Sequence, residues 1–224
     1  DICTRSCRFC ATKTGKPLPP DENEPARLAD AVKKLGLSHC VITSVDRDDL
    51  PDGGASFWAK TITEVKKENP GITIEALIPD FDGKEENIKK VIDTQPDILS
   101  HNLETVKRLT PLIRTKAKYD RSLSVIRFIA GSGIPAKSGL MLGLGETEEE
   151  ILETMDDLLE AGCSILTLGQ YLKPADGYME PVAYISPEKF AEYRKIGLSK
   201  GFTFVESGPL VRSSWHAEKH IGAR

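Results

Sequence analysis

Residues 136–168 read, in turn, AKSGLML, GLGE, TEEEILETMDDLLEAG and CSILTL. The first piece, Ala136 to Leu142, is short, mostly apolar and followed by a glycine turn, as a buried strand is. Thr147, with Glu150 three residues on, has the form of a capping box, and Ile151, Met155, Leu158 and Leu159 then recur at helical spacing until Gly162. Ser164 to Leu168 is a second strand. A strand, a helix of ordinary length and another strand predict two parallel strands joined by a crossover.

The same unit repeats in both directions. Leu28, Val32 and Leu35 mark a helix after acidic Asp21-Glu22-Asn23-Glu24, closed by Gly36, and His39 to Val45 follows as a strand. A helix near Ala55 to Glu68, a strand at Thr73 to Ile78, a helix at Glu85 to Thr94 and a strand around Ile98-Leu99 come next. Helical stretches near Thr105 to Leu112 and Arg121 to Ala130 lead to Ala136, and after Leu168 a helix starts at Ser186-Pro187 and a last strand lies at Phe202 to Val205. No linker interrupts the series, so residues 1–224 read as one α/β domain. In such folds functional groups collect at the C-terminal ends of the strands. Those ends carry Asp46-Arg47-Asp48-Asp49, Pro79-Asp80, His101-Asn102 with Glu104, Gly143-Leu144-Gly145-Glu146 and Gln170-Tyr171, a polar set that would converge on one mouth.

Composition narrows the function. Thirty-four acidic residues against 30 basic ones give a formal charge of -4, which offers no basic excess for nucleic acid or an anionic membrane. No apolar run approaches the roughly 18–20 residues needed to cross a bilayer, and Asp1-Ile2-Cys3 is not a charged and then apolar leader, so the sequence reads as soluble and unexported. Five cysteines, three of them between positions 3 and 10, suit a metal site in a reducing compartment better than a disulfide framework.

Cys3, Cys7 and Cys10 place three thiolates on one short loop, and thiolates are the usual ligands of iron-sulfur clusters. A structural zinc site takes four protein ligands, so three leave one metal position open for a substrate or cofactor. The alternative is a zinc knuckle completed by Cys40, Cys163 or a histidine, but those two cysteines sit in apolar segments, as core residues do.

The loop Cys3-Thr4-Arg5-Ser6-Cys7-Arg8-Phe9-Cys10 resembles the radical S-adenosylmethionine (SAM) signature, in which three irons of a 4Fe-4S cluster take cysteine and the fourth chelates SAM. Thr43 to Leu50 (TSVDRDDL), His101 to Thr105 (HNLET), Lys137 to Met141 (KSGLM) and Gly169 to Leu172 (GQYL) resemble, in the same order, blocks of the lipoyl synthase family. The C-terminal Arg212-Ser213-Ser214-Trp215 is similar to that family's Arg-Ser-Ser-Tyr motif, with Trp215 in place of the tyrosine.

The resemblance implies a partial (β/α) barrel of about six strands in the intact protein, with the cluster at the mouth. The family also carries an upstream C-x4-C-x5-C motif for a second, auxiliary 4Fe-4S cluster, and its first barrel strand usually precedes the cysteine loop. Neither stands before Asp1, so the expectation is a truncated chain with that strand missing, itself incompetent in catalysis.

For the site, the resemblance implies Cys3, Cys7 and Cys10 as ligands of the SAM-binding cluster and Ser214, or its neighbour Ser213, as ligand of the auxiliary one. Ser44, Asp46, Arg47, Asn102, Glu104, Arg114, Lys137 and Gln170 are the candidates for holding SAM. Plainer readings stand beside these. Asp46 to Asp49 is by default a solvated loop, Asn102 and Glu104 are good helix caps, and Arg114 and Lys137 are by default surface cations. The activity implied is sulfur insertion at C6 and C8 of an octanoyl chain on a lipoyl carrier protein. An electron donor of flavodoxin or ferredoxin type and an iron-sulfur carrier would be partners, in the cytoplasm or a mitochondrial matrix. Another radical SAM enzyme, or a cluster-binding paralogue without turnover, would share the cysteine loop.

Overall fold

A computed structural model describes residues 2–221. Strands β1 (Ile2–Cys3) and β2 (Lys13–Thr14) pair in parallel and close the base of the cysteine loop. Then follow α1 (Glu24–Leu35), β3 (His39–Thr43), α2 (Ala55–Glu68), β4 (Thr73–Leu77), α3 (Glu85–Ile92), β5 (Ile98–Ser100), α4 (Thr110–Ile113) and α5 (Tyr119–Gly131). The series ends with β6 (Ala136–Leu142), α6 (Glu148–Glu160), β7 (Ile165–Gln170), α7 (Pro187–Lys200) and β8 (Phe204–Gly208). Strands β3 to β8 form one six-stranded parallel sheet in sequence order, with β3 and β8 at its edges. The chain is thus the α/β partial barrel expected. Its six strands all lie within the described residues, so a strand ahead of the cysteine loop would be additional to them.

Local chemistry accounts for the element ends. Thr147 Oγ1 accepts from the Glu150 amide at 3.3 Å while the Glu150 carboxylate accepts from the Thr147 amide at 2.8 Å, the reciprocal capping box that starts α6. Ser186 caps α7 by its hydroxyl alone, accepting from the Lys189 amide, with Pro187 at the first helical position. The helix expected over Thr105 to Leu112 is replaced by the single-turn α4. The reason lies at Glu104, whose amide donates to the Gly139 carbonyl and whose carbonyl accepts from the Met141 amide, both at 2.9 Å. That backbone is committed to the sheet and sits at φ 68°, so no helix can begin there.

Strand periodicity sorts the two faces of the sheet. Ile74, Ala76, Leu99, Ala136, Leu140, Leu142, Leu166, Leu168 and Val205 belong to the continuous core that packs against the helices. The alternate residues, among them Glu75, Ser100, Lys137, Gly139, Thr167 and Gly169, face the concave side and are largely polar or small. Cys40 and Cys163 are buried in the apolar layer as unpaired thiols, as expected of core residues.

Candidate cluster and cofactor site

The cysteine loop lies across the C-terminal ends of β3 and β4. Thr4 N donates to the Asp46 carbonyl at 3.1 Å, and Arg8 N to the Ile113 carbonyl at 2.9 Å. Arg5 is the deeper tie. Its Nε and Nη2 donate to the two oxygens of Asp48 at 2.9 and 2.8 Å, Nη2 reaches Asp80 Oδ1 at 2.5 Å, and Asp46 Oδ1 stands 3.2 Å from Nε. The Arg5 side chain is 3% exposed and that of Asp80 fully buried, so three strand-end carboxylates converge on one guanidinium inside the protein. Burial works to raise the Asp80 pKa, but the Arg5 hydrogen bond and charge overcome it and hold that carboxyl below its ordinary range.

Beneath the loop is a cavity of about 280 Å³ lined by Cys3, Cys7, Cys10, Asp46, Asn102, Glu104 and Arg114. Phe9, Val45, Ile78 and Pro79 supply its apolar wall. Burial pushes the Cys7 thiol up to about 11, against the pull of the Arg114 charge, and raises the Asp46 and Glu104 carboxyls too. Arg114 is buried; Nη1 donates to the Leu103 carbonyl at 3.0 Å and the Ser122 hydroxyl at 3.3 Å, while Nε has no protein partner among the described residues. Asn102 Oδ1 is likewise buried and unpartnered. Glycine at 139 permits its position, since a Cβ there would lie 3.1 Å from that oxygen and 2.6 Å from Thr167 Oγ1.

The expected site residues fall into two groups. Ser44, Asp46, Asn102, Glu104 and Arg114 line the cavity with the three cysteines. Ser44 Oγ accepts from the Trp58 indole at 3.1 Å. Arg47, Lys137 and Gln170 are not in that wall. Arg47 forks onto Asp49 and holds the Leu18 carbonyl at 3.0 Å. Gln170 pins residues 183–185, donating to the Ala183 carbonyl at 3.0 Å and accepting from the Ile185 amide at 2.9 Å. Lys137 is fully buried on the concave face, 2.8 Å from Glu75. The plainer readings of these residues are corrected as well. Arg114 and Lys137 are not surface cations. Asn102 and Glu104 cap no helix, and Asp46 and Asp48 are part-buried rather than a free solvated loop. The Gly143 and Leu144 amides are taken by the Glu146 carboxylate at 2.5 and 2.9 Å, so that turn closes on itself.

Ser213 and Ser214 lie where the chain turns back after β8. The Ser213 hydroxyl accepts from Asn102 Nδ2 at 3.1 Å, whereas Ser214 is exposed and Trp215 beside it packs edge-on against His216.

The model of the Radical SAM superfamily matches residues 1–158. A lipoyl synthase of Phocaeicola vulgatus is 61% identical over 221 residues, covering 99% of this chain and 78% of that protein. A lipoyl synthase of Porphyromonas gingivalis is 58% identical over 222 residues, covering 99% and 79%. The chain belongs to the lipoyl synthase family. Methylornithine synthase superposes with a TM-score of 0.70 at 15% identity, over 95% of this chain and 70% of that one. SuiB from Streptococcus suis, solved with S-adenosylmethionine, gives 0.70 at 13% identity over 92% and 48%. These solved enzymes share the fold.

Membership in the lipoyl synthase family makes the chain a radical SAM enzyme, and with it come a 4Fe-4S cluster and SAM. The cavity fits such a pair. Three thiols stand at its rim, and an unpartnered guanidinium N–H and an unpartnered amide oxygen point to a ligand with both an acceptor and a donor. Asp80 and His101 were expected at the mouth but were given no role there, and Arg5 was not singled out from the sequence. An arginine inside a thiol loop, facing two strands that each end in aspartate, was the signal available for Arg5 and for the role of Asp80.

Proposed function

We propose that this chain is the catalytic core of a lipoyl synthase that inserts two sulfur atoms, at C6 and C8, into an octanoyl chain carried on a lipoyl carrier protein. The observation that carries the reading is the return of the Arg212-Ser213-Ser214 segment onto the concave face that the cysteine loop covers, with Ser213 bonded to Asn102 of the cavity wall.

Cys3, Cys7 and Cys10 would hold three irons, each as a thiolate. The positive charge of Arg114 counters the burial that raises Cys7. Asp46 would accept from the SAM ammonium, Asn102 and Glu104 would take the ribose hydroxyls, and Arg114, whose Nε has no protein partner among the described residues, would meet the SAM carboxylate. Ser44 shapes the wall, while Arg47 and Gln170 hold the segments around the mouth. When bound, the cluster and SAM would supply radical chemistry able to remove hydrogen from the acyl chain. The apolar wall of Phe9, Ile78 and Pro79 keeps water from that chemistry. Ser213 is engaged with Asn102, so Ser214 is the hydroxyl left for an auxiliary cluster, which would donate the sulfurs. A flavodoxin or ferredoxin type donor and an iron-sulfur carrier complete the cycle, in the cytoplasm or a mitochondrial matrix.

Anaerobic reconstitution with iron and sulfide, followed by low-temperature EPR of the reduced protein with and without SAM, tests this. A four-iron signal shifted by SAM and lost in Cys7→Ala is expected; stoichiometric zinc without such a signal would sink the reading.

A further inference from the structure

Lys137 and Glu75 are the most deeply placed charges on the concave face, both side chains 0% exposed and 2.8 Å apart. An ion pair out of water is costly and is retained where further hydrogen bonds complete it. Glu75 is completed from within the sheet, where Oε1 accepts from the Ser100 hydroxyl at 2.8 Å. Lys137 is completed from elsewhere. Its ammonium donates to the Ser213 carbonyl at 2.6 Å, and His220 Nδ1 stands 3.5 Å away.

The segment that supplies those partners is seated along the same face. The Val211 carbonyl oxygen presses against Gly169 so closely that a Cβ there would overlap it, and only glycine admits the chain at that point. His220 is 0% exposed, and its ring lies 5.4 Å from that of Phe204 at the start of β8. Residues 209–221 therefore run from the mouth, past Gly169 and Lys137, toward the opposite end of the sheet. Lys137 is the one ammonium buried with them among the described residues.

We infer that the Lys137–Glu75 pair is the anchor that docks residues 209–221 on the concave face, and so fixes where Ser213 and Ser214 sit. Lys137 is a positioning residue that acts through the Ser213 carbonyl and does not touch SAM. The value of that position rests on the serine role proposed above; the docking does not.

Hydrogen exchange of the intact chain tests the anchor without any cluster. In the wild type, the hydrogen-bonded amides of Val211, Trp215, Ala217 and Lys219 should be protected against exchange. The Glu75→Gln, Lys137→Met double variant removes both charges together, leaving no uncompensated ion, and the carboxamide introduced at position 75 can still accept from Ser100. It should lose protection at least about tenfold at those four amides while β4 to β7 stay unchanged, the size expected for one charged hydrogen bond. Unchanged protection of the segment, or an equal loss across the sheet, would overturn the inference. Should the variant not fold, the wild type decides, because free exchange of the Val211, Trp215, Ala217 and Lys219 amides there overturns it. A docked segment in a reconstituted full-length protein that keeps its auxiliary cluster in Ser214→Ala would support the anchor and refute the serine role.

Discussion

A single guanidinium, that of Arg5, carries the attachment of the cysteine loop, because Asp48 and Asp80 each give it a carboxylate where water is scarce. Without it, among the described residues, Asp80 would keep as cation only Arg121 at 3.4 Å and Asp48 only Lys116 at 3.2 Å, so the cost falls below the roughly 3–5 kcal/mol of a buried charge left wholly unpaired. Arg5→Met should therefore lower unfolding stability in chemical denaturation by an amount under that figure and halve or worse the iron retained on reconstitution; an unaltered denaturation midpoint would remove Arg5 from this role. His101 makes a second residue-scale prediction. Its Nδ1–H donates to the Ile78 carbonyl and its Nε2 accepts from the Ser122 hydroxyl, each at 2.9 Å, an arrangement only the neutral ring can make. Burial, reinforced by the Arg114 charge, lowers its pKa to about 4. The unfolded chain takes up this proton below about pH 6.5 and the folded one only near 4, so the stability is complete above 6.5 and drains away as pH falls toward 4, by at most about 1.4 kcal/mol per pH unit. His101→Gln should flatten that part of the stability–pH curve, and an identical slope in the variant would contradict this. The three cysteines were legible because their spacing is local. The partners of Arg5 and His101 were not, since they lie up to 75 residues away in sequence and meet them only after the strands align.

Elements were readable to the extent that their signals are local too. Helix α2 runs from Ala55 to Glu68 and β6 from Ala136 to Leu142, the limits read from periodicity and the flanking glycines and prolines. The capping box of α6 was visible as two letters three apart, and it satisfies amides that would otherwise lack partners. Thr147→Ala should cost about 1 kcal/mol in thermal or urea unfolding, with Thr147→Ser nearly neutral; equal loss in both would show that the methyl group, not the hydroxyl, matters. Where the expectation failed, at 105–109, a long-range bridge from Glu104 to Leu140 overrode local helix preference. The paired strands β1 and β2 also escaped notice, since two residues offer no period to read.

At the scale of the whole molecule, a parallel sheet wrapped by helices could be read from alternation alone, while its mouth became a site only once strand ends distant in sequence were brought together. Among the described residues no helix is long and apolar enough to cross a membrane. The sheet divides its duties between its faces, with apolar side chains toward the helices and particular polar atoms toward the cavity. The first face asks only for bulk of the right kind, so Val, Ile and Leu can replace one another there at small cost. The second asks for named atoms at named positions. Inherited change can thus rewrite the reaction from the inside while the outside goes on specifying the same barrel, which is how solved enzymes only 13 to 15% identical to this chain can share its shape.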